Sequence, residues 1–94
     1  MTDLQIVHDT DHNRFVARTP HGEATLKYAR NDANTLDYKS TFVPEPDREK
    51  GIGETLVLHA LDWAEENDFQ VIPSCPFVRR VLAEHPERET AVAG

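Results

Sequence analysis

Hydrophobic and polar residues alternate through the first half of the chain, as they do in β-strands with one buried face. The alternation predicts four strands, over residues 4–8, 14–18, 24–28 and 35–43. In the fourth segment, Leu36, Tyr38 and Phe42 share one face. Short segments that contain Asp, Asn, Pro or Gly separate the strands and are typical of turns. The pattern therefore indicates an antiparallel meander, which can leave one face of the sheet in water.

The hydrophobic period changes in the second half of the chain. There the hydrophobic residues recur at the spacing of one buried helix face: Leu56, Val57, Ala60, Leu61 and Ala64. This spacing predicts a helix from near 51–53 to 67–68, then a fifth strand over 69–72. A second helix is predicted to start at Pro76, which suits the first helical position, and to end before Pro86. The predicted fold class is α+β: a four-stranded antiparallel meander, a helix, a parallel fifth strand and a short C-terminal helix.

The length of the chain limits its domain organisation. A chain of 94 residues supports a single hydrophobic core. We expect one domain over residues 1–86 and a flexible tail over residues 87–94.

The charge balance restricts the classes of partner. The chain has 10 Lys and Arg against 17 Asp and Glu, a formal net charge of −7. Nucleic acids and anionic membranes need a basic surface, so neither is an expected partner. No signal peptide or membrane span is evident, and Cys75 is the single cysteine, so a reducing cytoplasm is the expected location. The sequence specifies no oligomeric state.

The segment Arg48-Glu49-Lys50-Gly51-Ile52-Gly53 lies between a predicted strand and a predicted helix. A glycine-containing loop that enters a helix presents backbone N–H groups and the positive end of the helix dipole, which together favour phosphate. Glycines also let the backbone approach a ligand closely. The segment matches neither a Walker A loop nor the Rossmann fingerprint. Its other reading is a flexible turn with basic residues for solubility.

Several motifs, in this order, resemble those of one superfamily. They are R-x-x-G-x-G over 48–53, preceded by Thr41-Phe42-Val43-Pro44 and followed by Pro73-Ser74-Cys75, Pro76-Phe77-Val78 and His85-Pro86. The chain resembles the small single-domain family of GNAT N-acetyltransferases, and the match runs from about residue 4 to residue 86.

The resemblance implies acetyl-coenzyme A as cofactor and a gap between splayed strands 4 and 5 that holds its pantetheine arm. Phe42 and Val43 would contact the arm, although a strand can bury them in any case. The pyrophosphate would be held by Arg48, Lys50, Gly51, Ile52 and Gly53. Pro76 and Phe77 complete the expected cofactor-binding residues. The implied activity is acetyl transfer to a primary amine, and the acidic composition suits a cationic acceptor.

Cys75 is the candidate catalytic residue. With Pro76 at the first helical position, Cys75 becomes the N-cap, where the helix dipole favours a thiolate. A lone cysteine is otherwise usually a small buried hydrophobe. Two mechanisms are open: an amine attacks the thioester directly while Cys75 lines the acetyl site, or Cys75 carries the acetyl group covalently. The superfamily's usual route favours direct attack.

Two positions depart from the family pattern. Ser40 stands where relatives commonly have histidine before the Thr of T-x-V-P, and Val81 and Leu82 stand where many GNAT domains have a tyrosine general acid. These departures motivate a second hypothesis, a non-catalytic module that binds or senses acyl-coenzyme A. A third hypothesis is an interaction domain that binds no small ligand.

The remaining polar candidates are weaker. His8, Asp9, Asp11 and His12 match no zinc-binding spacing, so we expect a solvated turn and no metal site. Arg79 and Arg80 are either exposed or reach the coenzyme's phosphates. His59 is expected at the surface, and Trp63 in packing.

Overall fold

The computed structural model describes residues 5–48 and 51–91. In chain order, the strands and helices are β1 Ile6–Asp9, β2 Arg14–Thr19, β3 Gly22–Asp32, β4 Thr35–Phe42, α1 Ile52–Glu66, β5 Gln70–Ile72 and α2 Pro76–Glu84. Two 3₁₀ helices, Glu45–Asp47 and Pro86–Ala91, precede α1 and follow α2. The predicted order of elements is confirmed.

The strands form one sheet in the order β1-β2-β3-β4-β5. The first four are antiparallel neighbours, and β4 pairs with β5 in parallel. This arrangement confirms the predicted α+β class, with a helical crossover between two parallel strands.

Alternation along the strands decides which side chains enter the core. In β2, Phe15 and Ala17 are fully buried, whereas Arg18, the residue after Ala17, is exposed. The buried faces of β2 and β3 pack against α1, and α2 packs against β4. Tyr38 of β4 lies at the centre, and its hydroxyl donates a 2.6 Å hydrogen bond to the Ala60 carbonyl of α1. Burial raises the pKa of Tyr38 well above its usual range.

A left-handed residue ends α1 and directs the chain into β5. Asp68 has φ 61°, and its N–H donates to the Glu65 carbonyl. The Phe69 N–H donates to the Ala64 carbonyl at 2.8 Å. This pair of hydrogen bonds is the Schellman arrangement, which satisfies carbonyls that the helix leaves unpaired. The chain therefore reverses directly and pairs with β4.

The parallel pairing of β4 and β5 is short. It joins Thr35 to Gln70, Leu36 to Val71 and Asp37 to Ile72. The Cys75 N–H then donates to the Tyr38 carbonyl at 2.9 Å, and the chain turns into α2. β4 continues to Phe42, still paired with β3 on its other edge. β4 thus extends beyond the end of β5, and its last residues, Thr41 and Phe42, line a space between α1 and α2.

The segment after α2 departs from the expected tail. Residues 86–91 form a 3₁₀ helix that contacts α1 and α2. The Arg88 guanidinium forms an ion pair with the Asp62 carboxylate of α1, which accounts for this ordered start. The rest of the expected tail, residues 92–94, lies outside the described residues.

The expected solvated turn around His8 is wrong for His8 itself. Its ring stacks on Phe15 with centroids 4.2 Å apart, and it lies edge-to-face with Trp63 with centroids 4.4 Å apart. Its Nε2 lies 2.5 Å from the Tyr28 hydroxyl. Burial, with a smaller contribution from the nearby charge of His59, lowers the pKa of His8 below 6.5. Trp63 is a packing residue, as predicted.

This pKa shift predicts a pH effect on stability. Because the folded state disfavours protonation of His8, its penalty is absent above pH 6.5 and appears as the pH falls toward the lowered pKa. Between about pH 7.5 and about pH 5.5, wild type should therefore lose more unfolding free energy than His8→Gln does. Urea denaturation of both proteins measures the difference, and equal losses would contradict it.

Candidate functional site

The candidate site is a cleft at the end of β4, beyond the residues of β4 that pair with β5. It lies between the end of β4, the start of α1 and one face of α2, with a volume of 470 Å³. Its lining residues are Thr41, Phe42, Val43, Arg48, Gly51, Gly53, Glu54, Phe77, Arg80, Val81 and Glu84. Phe42 is 53% exposed, so this apolar wall is open to a ligand.

The start of α1 supplies backbone donors to the cleft. Gly51 is the N-cap residue, and the first helical hydrogen bond runs from the Thr55 N–H to the Gly51 carbonyl at 3.0 Å. The N–H groups of Ile52, Gly53 and Glu54 precede this bond, so the helix itself gives them no acceptor. Together with the helix dipole they form a suitable position for an anion.

Glycine suits positions 51 and 53 for different structural reasons. Gly51 has φ +77°, a left-handed conformation that glycine adopts without a steric penalty, and a Cβ there would meet no atom within 4 Å. A Cβ on Gly53 would lie 3.0 Å from Phe77 Cζ and 3.2 Å from Val43 Cγ2. The sequence suggested that both glycines open space for a ligand. Apart from any ligand, Gly51 permits the turn, and Gly53 lets Val43 and Phe77 approach α1.

Two guanidinium groups line the cleft. Arg48 Nε donates to the Val43 carbonyl at 2.9 Å, which fixes the side chain across the end of β4. A guanidinium has further N–H donors, so this contact is compatible with phosphate binding. Arg80 lies over the Phe77 ring, 6.0 Å from its centroid, and 4.0 Å from Glu84. The Arg80 side chain is 72% exposed and lines the cleft, whereas Arg79 is exposed and does not line the cleft.

A carboxylate also lies at the start of α1. Glu54 is in the first turn, and its Oε2 is 2.8 Å from His85 Nε2. The other ring nitrogen of His85 lies 3.4 Å from Glu87 Oε2. The hydrogen bond to Glu54 is the main reason that the pKa of His85 is raised above 6.5.

Cys75 lies behind the wall of the cleft. It is 4% exposed and is the N-cap residue of α2, as predicted. Its Sγ is 3.5 Å from the Thr41 hydroxyl, and Thr41 lines the cleft. Cys75 itself does not appear among the lining residues, so one side chain separates its sulfur from the open space.

A buried carboxylate supports the loop that carries Arg48. Asp47 is fully buried, and it accepts hydrogen bonds from the His21 backbone N–H at 3.0 Å and from His21 Nδ1 at 2.8 Å. His21 lies in the turn between β2 and β3. This contact ties the loop before α1 to the sheet, and no local pattern in the sequence indicates it.

The cleft brings together most of the predicted cofactor residues. Those that line it are Phe42, Val43, Arg48, Gly51, Gly53 and Phe77. Ile52 is 8% exposed and belongs to the core, so only its backbone can serve a ligand, and Pro76 is exposed and does not line the cleft. Lys50 lies outside the described residues. The lining residues that the sequence analysis did not propose as ligands are Thr41, Glu54, Val81 and Glu84.

Two further observations concern other kinds of site. Among residues 5–48 and 51–91, no group of three His, Cys, Asp or Glu side chains is placed to hold a metal ion. Neither helix in this part of the chain has the length and apolar character that a membrane span requires.

Comparison with known proteins defines the family. Residues 14–91 match the family described as GCN5-related N-acetyl-transferase. This match spans most of the chain, so the protein belongs to the GCN5-related N-acetyltransferase (GNAT) family. The resemblance inferred from the motifs is confirmed.

Named relatives and a solved structure agree with this assignment. The chain is 30% identical to Protein NATD1 of Danio rerio over 87 residues, which cover 90% of this chain and 79% of the relative. It is 29% identical to the Gallus gallus protein over 85 residues, covering 88% and 77% of the two chains. A GCN5-like protein from Staphylococcus aureus, solved by NMR, superposes with a TM-score of 0.75 at 24% identity, covering 100% of this chain and 92% of that one. The likeness in structure confirms the minimal GNAT fold.

Proposed function

We propose that the protein transfers an acetyl group from acetyl-coenzyme A to a primary amine, by direct attack of the amine on the thioester. The observation that carries the proposal is the cleft between the end of β4, which extends beyond its pairing with β5, and the start of α1. The end of β4 offers backbone groups to an extended ligand, and the first turn of α1 offers N–H groups to an anion. Acetyl-coenzyme A has both an extended pantetheine arm and a diphosphate.

The residues of the cleft fit this ligand. Phe42, Val43 and Phe77 form an apolar wall for the arm, and the guanidinium groups of Arg48 and Arg80 lie where the diphosphate would reach the helix. Bound acetyl-coenzyme A supplies an activated acyl group. The chain's own part is to hold that group beside Thr41 and Cys75 and to present N–H groups of β4 to the developing oxyanion.

The surroundings of Cys75 favour a lining role over a covalent one. In many covalent enzymes the nucleophile is activated by a base within hydrogen-bond reach. The Cys75 sulfur contacts the Thr41 hydroxyl at 3.5 Å, and a hydroxyl of ordinary acidity is not a base. Ser40, at the position where relatives commonly have histidine, is exposed.

A second candidate function is a module that binds acyl-coenzyme A without catalysis. Val81 occupies the helix segment where many GNAT domains have tyrosine, and it is 1% exposed at the cleft. None of the cleft-lining side chains in the described part of the chain is a histidine. A cleft with this lining binds a ligand but offers no side chain whose ordinary pKa lies near neutrality.

The first test measures binding. Coenzyme A at ~100 times its dissociation constant should stabilise the protein by about 2.7 kcal/mol. For a chain of this size, that gain corresponds to a rise in Tm of roughly 10–20 °C. An unchanged Tm in excess coenzyme A would contradict both candidate functions and leave an interaction domain.

The second test separates the mechanisms. Acetyl-coenzyme A is mixed with a panel of polyamines, lysine peptides and peptides with free amino termini, and the release of free thiol is measured for wild type, Cys75→Ala and Cys75→Ser. Direct attack predicts that both variants keep most of the activity. Loss of activity in both, with coenzyme A binding retained, would indicate a covalent acetyl-cysteine. Coenzyme A binding without the release of free thiol, for every amine in the panel, would favour the non-catalytic module.

A further inference from the structure

We infer that His85 is a positioning residue for the cofactor: its imidazolium holds the Glu54 carboxylate at the side of the cleft and offsets its charge where the diphosphate binds. The inference rests on the proposed function. It assigns a role to a contact between α1 and α2 that the reaction itself does not use.

The position of Glu54 creates the need for such a partner. Glu54 is in the first turn of α1 and lines the cleft, so its carboxylate lies beside the N–H groups that an anion would approach. A carboxylate there interacts favourably with the helix dipole, and it repels a second anion at the same helix terminus. An uncompensated Glu54 would therefore oppose the binding of a diphosphate.

The geometry of His85 supplies the compensation. His85 is the C-cap residue of α2, where the helix dipole favours a cation. Both of its ring nitrogens face carboxylate oxygens, Glu54 at 2.8 Å and Glu87 at 3.4 Å. Only the protonated ring can donate from both nitrogens. The raised pKa of His85 agrees with this geometry.

The other charged groups around this contact have partners of their own. On the side of Pro86–Ala91, Glu87 lies 3.8 Å from Arg88, which also pairs with Asp62 of α1. Within α2, Glu84 lies 4.0 Å from Arg80. Arg48 is a further cation that lines the cleft. Among the described residues that line the cleft, Glu54 is thus the carboxylate that pairs with a histidine, whose pKa this contact raises.

A pH dependence of binding follows. Below the raised pKa of His85, the imidazolium offsets Glu54. As the pH rises through that pKa, the offset is lost and Glu54 remains negative, so the affinity for the diphosphate should fall. Because this pH dependence arises from repulsion between Glu54 and the diphosphate, binding of the pantetheine arm should not depend on the charge of His85.

The experiment compares wild type with His85→Gln, Glu54→Gln and the double variant, using coenzyme A and S-acetylpantetheine, which lacks the diphosphate. At neutral pH, His85→Gln should weaken coenzyme A binding by roughly three- to tenfold, the range expected for one charge at a helix terminus. Glu54→Gln in the same chain should restore the affinity to about the wild-type value. Variants that contain Glu54→Gln should also lose the decline in affinity with rising pH, and S-acetylpantetheine affinity should be the same in all four proteins.

The alternative is that His85 only braces α1 against α2. In that case the double variant would bind coenzyme A as weakly as His85→Gln does, and the affinity for S-acetylpantetheine would fall by the same factor. Either result would overturn the inference. Unchanged coenzyme A affinity in His85→Gln would also overturn it. A wild-type protein that binds no coenzyme A at any pH would instead overturn the proposed function.

Discussion

Replacing Gly53 with valine should abolish measurable coenzyme A binding and lower the free energy of unfolding by about 1–3 kcal/mol. Even a single Cβ at this position would meet Phe77 at 3.0 Å and Val43 at 3.2 Å. Valine adds two methyl groups to that contact. The Phe77 ring lines the cleft, so the shift that relieves the clash changes the surface that would contact the pantetheine arm. Calorimetric titration and urea denaturation measure the two effects.

Gly51 provides a matched control for the stability effect. Gly51→Asn adds a side chain to the same loop, but it meets no protein atom within 4 Å, and asparagine tolerates a left-handed φ of +77°. This variant should keep its stability within about 1 kcal/mol of wild type. The double variant Gly53→Val, Phe77→Ala removes the clashing ring and should recover stability relative to Gly53→Val. Wild-type binding by Gly53→Val would show that the contact among α1, β4 and α2 does not shape the cleft.

Replacing Asp47 with alanine should cost about 2–4 kcal/mol of unfolding free energy, because it removes a buried carboxylate that accepts two hydrogen bonds from His21. The His21 backbone N–H, which donates at 3.0 Å, would lose this acceptor. Urea denaturation near neutral pH measures the loss. The same change frees the loop at Arg48, so the remaining folded protein should bind coenzyme A more weakly.

Two variants separate the parts of this contact. Asp47→Asn keeps the shape and one acceptor oxygen, and it should cost less than Asp47→Ala. His21→Ala removes only the imidazole, which is 52% exposed, and it leaves the backbone N–H in place. It should therefore be the mildest of the three. If His21→Ala were as destabilising as Asp47→Ala, the backbone hydrogen bond would carry none of the effect.

The sequence predicted the order of elements because each boundary has a local physical signal. Alternation marks the strands, the spacing of Leu56 to Ala64 marks α1, and Pro76 fixes the start of α2 after the Cys75 N-cap. The parallel pairing of β5 followed from the helical crossover. These features depend on neighbours in the chain and can be read without a structure.

The contacts that shape the site are not local, and the sequence analysis missed them for that reason. The constraint on Gly53 depends on Phe77 of another helix, and the support of the Arg48 loop depends on His21 in a distant turn. Glu54 looks like an ordinary acidic residue in a first helical turn until His85 is placed beside it. His8 was grouped with its polar neighbours along the chain, although its ring packs on Phe15 and Trp63.

The short pairing between β4 and β5 also has a consequence for how the protein folds. Each hairpin of the meander closes a short loop, whereas the β4–β5 pairing closes a loop that contains all of α1. The loss of chain entropy on closing a loop grows with its length, and here only three residue pairs offset it before α2 docks. The β4–β5 junction is therefore the part of the sheet least secured by its own backbone, and a ligand that bridges β4, α1 and α2 next to it would contribute directly to closing the fold.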